Sequence, residues 1–168
     1  DYPDFVTLTE VFHEIGRRYA HRKRSAGLMD FDDLLTLWLR LLREHEDLRD
    51  VYGRRFQYVL VDEYQDTNRL QAELLDLLSA RHGNLMAVGD DAQSIYSWRG
   101  ANFANILGFP DHHAGAHVFR IETNYRSTPE ILSLANAALA ANTRQLPKNL
   151  RAVRPSGPKP VLVVCGDA

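Results

Sequence analysis

The side chains of this 168-residue sequence best placed to do chemistry are Asp62 and Glu63, which directly follow the apolar run Tyr58-Val59-Leu60-Val61. A short, partly β-branched apolar run has the pattern of a strand buried on both faces. In parallel α/β sheets ligands bind outside the carboxyl ends of the strands. An Asp there can hold Mg²⁺, usually through water, and a neighbouring Glu can polarise an attacking water, as nucleotide hydrolysis requires. Adjacent carboxylates at a strand end point to opposite sides, which suits two separate tasks. Strand-end acids also open many ordinary loops, so the pair by itself leaves that reading standing. Asp90 stands at the end of a second short apolar run, Leu85-Met86-Ala87-Val88, which ends at Gly89-Asp90.

The elements that must position these residues are legible from periodicity. Thr7-Leu8-Thr9-Glu10 has capping-box spacing, and Leu8, Phe12, Ile15 and Tyr19 then recur at helical steps. Glu14 and Arg18 can pair at i,i+4, and Gly27 is placed to stop the helix. A second helix is expected from Asp32 to Glu46 with Leu34, Leu35, Trp38, Leu39, Leu41 and Leu42 inward, and another through Leu70, Leu74, Leu75, Leu77 and Leu78. Val118–Ile121 and Val161–Val164 are a third and fourth strand candidate. Ser127 or Thr128 caps a last helix with Pro129 in its first turn and Ile131, Leu134, Ala135, Ala138 and Leu139 facing its core. Strands alternating with helices predict an α/β fold with a mainly parallel sheet.

Composition narrows the class. Hydrophobic residues at 45% and charged residues at 25% exclude a disordered tail, a fibre and a disulfide miniprotein. No apolar run approaches the ~20 residues that span a bilayer. The single Cys165 fits a reducing cytoplasm. The net charge of −2 gives no global case for nucleic-acid binding, but its distribution is uneven. Asp62, Glu63, Asp66, Glu73, Asp76, Asp90 and Asp91 make an acidic centre, whereas Arg144, Lys148, Arg151, Arg154 and Lys159 lie in a stretch without acids. Such a pairing suits a metal site beside a polyanion-binding surface, or simply two solvated faces. Trp98 lies in the polar, Gly-bounded stretch Ser97–Gly100 rather than in an apolar stripe, unlike Trp38 in its Leu-rich helix. His112, His113 and His117, with only Asp111 beside them, read as a solvated loop rather than a metal centre.

Longer blocks carry a resemblance. Val61-Asp62-Glu63-Tyr64-Gln65-Asp66-Thr67-Asn68 resembles motif II of the superfamily 1 DNA helicases of the UvrD/Rep/PcrA family. The block from Val88 to Ala101, containing Gly89-Asp90-Asp91-Ala92-Gln93 and Ser97-Trp98-Arg99-Gly100, resembles their motif III, and Glu122-Thr123-Asn124-Tyr125-Arg126-Ser127-Thr128 resembles motif IV. Asp30-Phe31-Asp32-Asp33-Leu34-Leu35 is similar to the segment leading back into the first motor domain. The resemblance implies a partial RecA-like (P-loop NTPase) sheet flanked by helices and a parent that couples hydrolysis of Mg·ATP to movement on single-stranded DNA and duplex unwinding. It makes Asp62 the Mg²⁺ ligand, Glu63 the catalytic base, Gln93 the γ-phosphate sensor and Arg126 a finger-like contact to the γ-phosphate. It makes Tyr125 the adenine platform and puts Trp98, Tyr96 and Arg99 along the DNA track. It further implies 3′–5′ polarity and service in DNA repair and replication. The implied layout is 1–30 as the end of an inserted helical subdomain, 31–121 as the C-terminal half of the first motor domain, and 122–168 as the start of the second.

Two rival readings stand beside this one: a non-catalytic DNA-binding scaffold of helicase ancestry, and the helicase part of a recombination helicase–nuclease. The three lysines follow Arg22, Pro147 and Pro158, so none completes the Gly-x-x-x-x-Gly-Lys phosphate loop. The start Asp1-Tyr2-Pro3-Asp4 lacks an initiator Met. The chain is therefore expected to be an internal piece of a longer protein, inactive alone as an ATP hydrolase. A partial sheet exposes apolar edges. Analytical ultracentrifugation of the chain should show concentration-dependent association; a compact monomer at all concentrations would contradict this.

Overall fold

The fold was taken from a computed structural model that describes residues 3–164 and 166. Asp1, Tyr2, Cys165, Asp167 and Ala168 lie outside the described residues, as do the side chains of Pro3, Asp4 and Arg99. The chain divides into two compact units, Asp1–Val59 with Leu70–Asn84, and Leu60–Arg69 with Leu85–Ala168.

The first unit is helical. A 3₁₀ turn, Pro3–Leu8, runs into α1 (Thr9–Ser25). The capping box expected at Thr7–Glu10 does not form, because the chain already turns before Thr9 and the Thr9 hydroxyl donates back to the Val6 carbonyl at 2.7 Å. Gly27 does end α1, in a left-handed conformation at φ 64°, with the Leu28 N–H closing on the Lys23 carbonyl. The Glu14–Arg18 pair is present at 2.7 Å. Helix α2 (Phe31–Glu44) starts on a genuine capping box: Asp30 accepts from the Asp33 N–H and Asp33 from the Asp30 N–H. Lys23 bridges both carboxylates, at 2.5 and 2.6 Å, and so ties the end of α1 to the start of α2.

Helix α3 (Glu46–Arg55) has no counterpart in the sequence pattern; it is short and largely polar, with no apolar stripe to announce it. After β1 (Val59–Val61), α4 (Arg69–Ser79) supplies Leu74 and Leu78, which pack with Leu39 and Leu42 of α2 into the core of this unit. Leu35, Trp38, Tyr52 and Leu77 flank that core, and Trp38 meets Tyr52 edge to face at 6.2 Å. Leu34, expected inward, is exposed because the packed stripe of α2 is centred on Leu39 and Leu42.

In the second unit β2 (Leu85–Ala87) pairs with β1. The Val59 N–H reaches the Asn84 carbonyl and the Val88 N–H reaches the Val61 carbonyl, so both strands advance in the same direction. The two-faced burial expected for these strands is found on one face only. Leu60 is 72% exposed and Met86 56%, whereas Val59 and Val61 are partly buried. Beyond β2 come two short helices, α5 (Ala104–Leu107) and α6 (Phe109–His112). A second parallel pair joins β3 (Thr123–Asn124) and β4 (Arg151–Ala152), with α7 (Pro129–Ala140) between them in sequence.

Val118–Ile121 and Val161–Val164, expected as strands, are irregular. Apolar β-branched composition makes a strand only where a neighbour takes up its backbone hydrogen bonds, and the ladder forms instead beside them at Thr123–Arg151 and Asn124–Ala152. In α7 Leu132 is the buried residue while Ile131 and Leu134 are exposed, which corrects the expected inward face. Thr128 holds the cap position without a side-chain cap bond. The result is a mixture of helices and small parallel sheets, consistent with an α/β fold. Among the described residues no helix is long and apolar enough to cross a membrane.

Candidate active site

At the end of β1 the chain changes direction sharply. Glu63 adopts the left-handed conformation (φ 51°, ψ 41°), and a 3₁₀ turn, Tyr64–Asp66, comes next. The Glu63 N–H bonds the Asp62 carboxylate at 2.9 Å, and both acidic side chains are exposed to solvent. The turn is anchored from behind. The Tyr64 N–H donates to the Val88 carbonyl at 2.9 Å, and the Thr67 hydroxyl donates to the Tyr64 carbonyl at 2.7 Å. Asn105 of α5 caps the Thr67 carbonyl at 3.0 Å, and the Tyr64 ring stands edge-on to Phe109 of α6.

Asp90 lies just beyond the neighbouring strand β2 and organises the 3₁₀ turn, Asp91–Gln93, that it caps. One carboxylate oxygen accepts from the Ala92 N–H at 3.0 Å, and the other accepts from Gln93 Nε2 at 2.8 Å. Lys148 donates to Asp90 and to Asp91, the latter at 3.0 Å, while Asp91 also takes the Leu146 N–H at 3.2 Å. Burial would raise the Asp90 carboxyl, but hydrogen bonds from Gln93, Lys148 and the Ala92 N–H together with the Lys148 charge outweigh it and hold the group below the ordinary carboxylate value. Burial likewise opposes the charge on Lys148, yet its bonds to Asp90 and Asp91 prevail and raise the ammonium above the usual lysine value.

The sequence-predicted residues therefore fall into three groups. Asp62, Glu63 and Gln93 share one hydrogen-bonded network, joined through Gln65 and Asp90. Tyr96 and Trp98 sit at a separate 3₁₀ turn, Ser97–Arg99, closed by Gly100 at φ 86°, and Trp98 is 75% exposed. Tyr125 and Arg126 stand on a third turn, where Asn124 Oδ1 accepts both the Arg126 and Ser127 N–H groups at 2.9 and 2.8 Å. Tyr125 is 75% exposed, and the Arg154 guanidinium donates to the Arg126 carbonyl at 2.9 Å. Two residues of the network carry no individual role in the sequence pattern. Lys148 falls within a basic stretch that suits a polyanion, but it is turned inward on Asp90 and Asp91. Gln65, 1% exposed, is in the sequence one letter of a motif and nothing more.

Mg²⁺ binds through one or two carboxylates plus waters and phosphate oxygens rather than in an all-protein cage. Asp62 offers one such hard, exposed carboxylate, so the donor set fits a phosphate-accompanied Mg²⁺. Among the described residues no group of three His, Cys, Asp or Glu could hold a metal by itself.

Residues 6–114, more than half of the chain, match the UvrD/REP helicase N-terminal domain. The chain belongs to the UvrD/REP helicase family. Its curated relatives include the ATP-dependent DNA helicase PcrA of Bacillus subtilis (strain 168), 46% identical over 84% of this chain and 19% of that protein. The ATP-dependent DNA helicase PcrA of Leuconostoc citreum is 43% identical over the same shares. The chain thus spans about a fifth of the length of the curated relatives it matches.

The Lys148 pair yields a pH dependence with a definite sign. A lowered Asp90 stabilises the fold above its unfolded value near pH 4, and that contribution is lost as pH falls through the lower folded value. A raised Lys148 stabilises below its unfolded value of about 10.4 and loses its effect only at more alkaline pH. Lys148→Met should cost about 1–3 kcal/mol in urea unfolding at pH 7, with the difference from the parent chain shrinking below pH ~4. A difference that persists unchanged in acid would show that the pair contributes nothing of this kind.

Proposed function

We propose that this chain is part of an ATP-dependent DNA helicase or translocase, a cytoplasmic motor of DNA repair and replication that moves 3′ to 5′ on single-stranded DNA and opens ss/ds junctions. The observation that carries the reading is the shared network of Asp62, Glu63 and Gln93 at the carboxyl ends of two paired parallel strands. This is where an α/β NTPase holds its phosphates. Family membership and relatives named ATP-dependent DNA helicase support it. Residues 31–121 would be the C-terminal half of a RecA-like first motor domain, 122–168 the start of the second, and 1–30 the end of an inserted helical subdomain.

Bound Mg·ATP supplies a polarised γ-phosphate for transfer to water. Asp62 would hold the metal, directly or through water. Glu63 would orient the attacking water and take its proton. Gln93, released from Asp90, would donate to the γ-phosphate and report its loss to the adjoining turn of Trp98. Arg126 would set its guanidinium against charge developing on the phosphate, and Tyr125 would stack on the adenine. Trp98 would stack on a base of single-stranded DNA, a contact worth ~1–3 kcal/mol per base and indifferent to sequence. Tyr96 and Arg99 would line the same track.

Two substitutions in the full-length protein test these roles. Glu63→Gln should abolish DNA-stimulated ATP hydrolysis while nucleotide binding stays near the parent value; loss of binding as well would give Glu63 a different task. Trp98→Ala should weaken single-strand binding by roughly 5- to 150-fold, the equivalent of one stacked base, as read by fluorescence anisotropy. Unchanged affinity would remove Trp98 from the track.

A further inference from the structure

The side chain most completely enclosed near the acid turn is neither acidic nor basic. Gln65 is 1% exposed, and its carboxamide lies between the two strand ends. Its Oε1 accepts the Asp90 N–H at 3.0 Å. That contact fixes which way the amide faces, since only the oxygen can accept from a backbone donor. Nε2 is thereby aimed at the acid turn, where it donates to Glu63 Oε2 at 2.6 Å and reaches Asp66 Oδ2 at 3.5 Å. The backbone of Gln65 is held as well, by the Ser94 hydroxyl donating to its carbonyl at 3.3 Å.

Gly89 is part of the same device. A Cβ at this position would stand 2.4 Å from Gln65 Oε1, 2.8 Å from Ile106 Cδ1 and 3.2 Å from the Tyr64 nitrogen. The amide oxygen occupies the space that any other residue would fill, so the glycine is required for the carboxamide to reach the Asp90 N–H.

We infer that Gln65 is the positioning residue of the acid turn: it fixes the Glu63 carboxylate to the end of β2, so that the group beside the reacting water and the segment carrying Gln93 move as one piece. A buried carboxamide with both ends engaged is costly to disturb, because either partner left alone is an unsatisfied polar group. Glu63 itself is exposed and sits in a left-handed turn, and this bond from Gln65 is the one that restrains its carboxylate among the described residues. The inference rests on the reading of Glu63 as the group that handles the attacking water.

The test uses the full-length protein and three variants. Gln65→Met removes both ends of the amide bridge. Gln65→Glu keeps an acceptor for the Asp90 N–H but offers no donor to Glu63. Gly89→Ala leaves Gln65 in place and displaces its amide. Each should lower kcat for DNA-stimulated ATP hydrolysis about 10- to 100-fold, the effect of a misplaced catalytic group, while KM for ATP and the affinity for single-stranded DNA stay within about threefold of the parent. Glu63→Gln is measured alongside. If Glu63→Gln still hydrolyses ATP, the reading of Glu63 itself fails. If Glu63→Gln is inactive but Gln65→Glu and Gly89→Ala keep the parent kcat, that reading stands and the positioning role of Gln65 is overturned. A parallel fall of kcat, nucleotide affinity and melting temperature in all three variants would also overturn it, since that is the mark of a purely structural residue.

Discussion

The local structure around the acid turn depends on one requirement: the peptide groups where β1 and β2 end must be satisfied although the ladder stops there. The Tyr64 N–H takes the Val88 carbonyl, and the Asp90 N–H is left to a side chain, the buried amide of Gln65. That amide, once in place, dictates its surroundings. Position 89 must be glycine, the chain must reverse tightly after Asp62, and the left-handed conformation at Glu63 is accepted at a cost on the order of 1 kcal/mol. A non-glycine residue held this way persists only where its surroundings over-determine it. Here they do, through the Asp62, Tyr64, Thr67 and Asn105 bonds that surround the turn.

Charge is arranged on the same scaffold. Asp90 and Asp91 would repel each other and an incoming polyanion if left bare. Lys148, 14% exposed in its side chain, bridges the two, offsets one of their two negative charges and fastens the chain beyond α7 to the segment that follows β2. Arg144 and Arg154 are engaged too, one over the Phe103 ring at 5.0 Å and the other on the Arg126 carbonyl. The basic stretch is therefore a set of internal ties at these three positions more than an open anion-binding surface. Among the described residues no cation pairs with Asp62 or Glu63, and both side chains are exposed at the strand end.

The range of each interaction decides how far the sequence discloses it. Helices α2 and α4 are legible because burial imposes a short period on Leu39, Leu42, Leu74 and Leu78, and Gly27 because only a local backbone demand places it. The acid pair is legible because its apolar strand precedes it directly. Val118–Ile121 and Val161–Val164 mislead, since composition reports what a strand could bury and not whether a partner strand is there. β3 and β4, two residues each, are too short to leave a pattern. Lys148 meets Asp90 across 58 positions, and the amide of Gln65 meets Asp90 across 25, distances at which no periodicity connects the partners. The grouping of Glu63 with Gln93 is implied by resemblance, but the atoms that join them are visible only in three dimensions.

The most direct examination of these roles is a crystal structure of the full-length protein with Mg²⁺ and a non-hydrolysable ATP analogue. The metal is expected at Asp62, directly or through one water, with the Glu63 carboxylate facing the γ-phosphate and the Gln65 amide still bonded to Glu63 and to the Asp90 N–H. A triphosphate and metal bound away from the Asp62–Glu63 turn would contradict the assignment of that turn as the hydrolytic site.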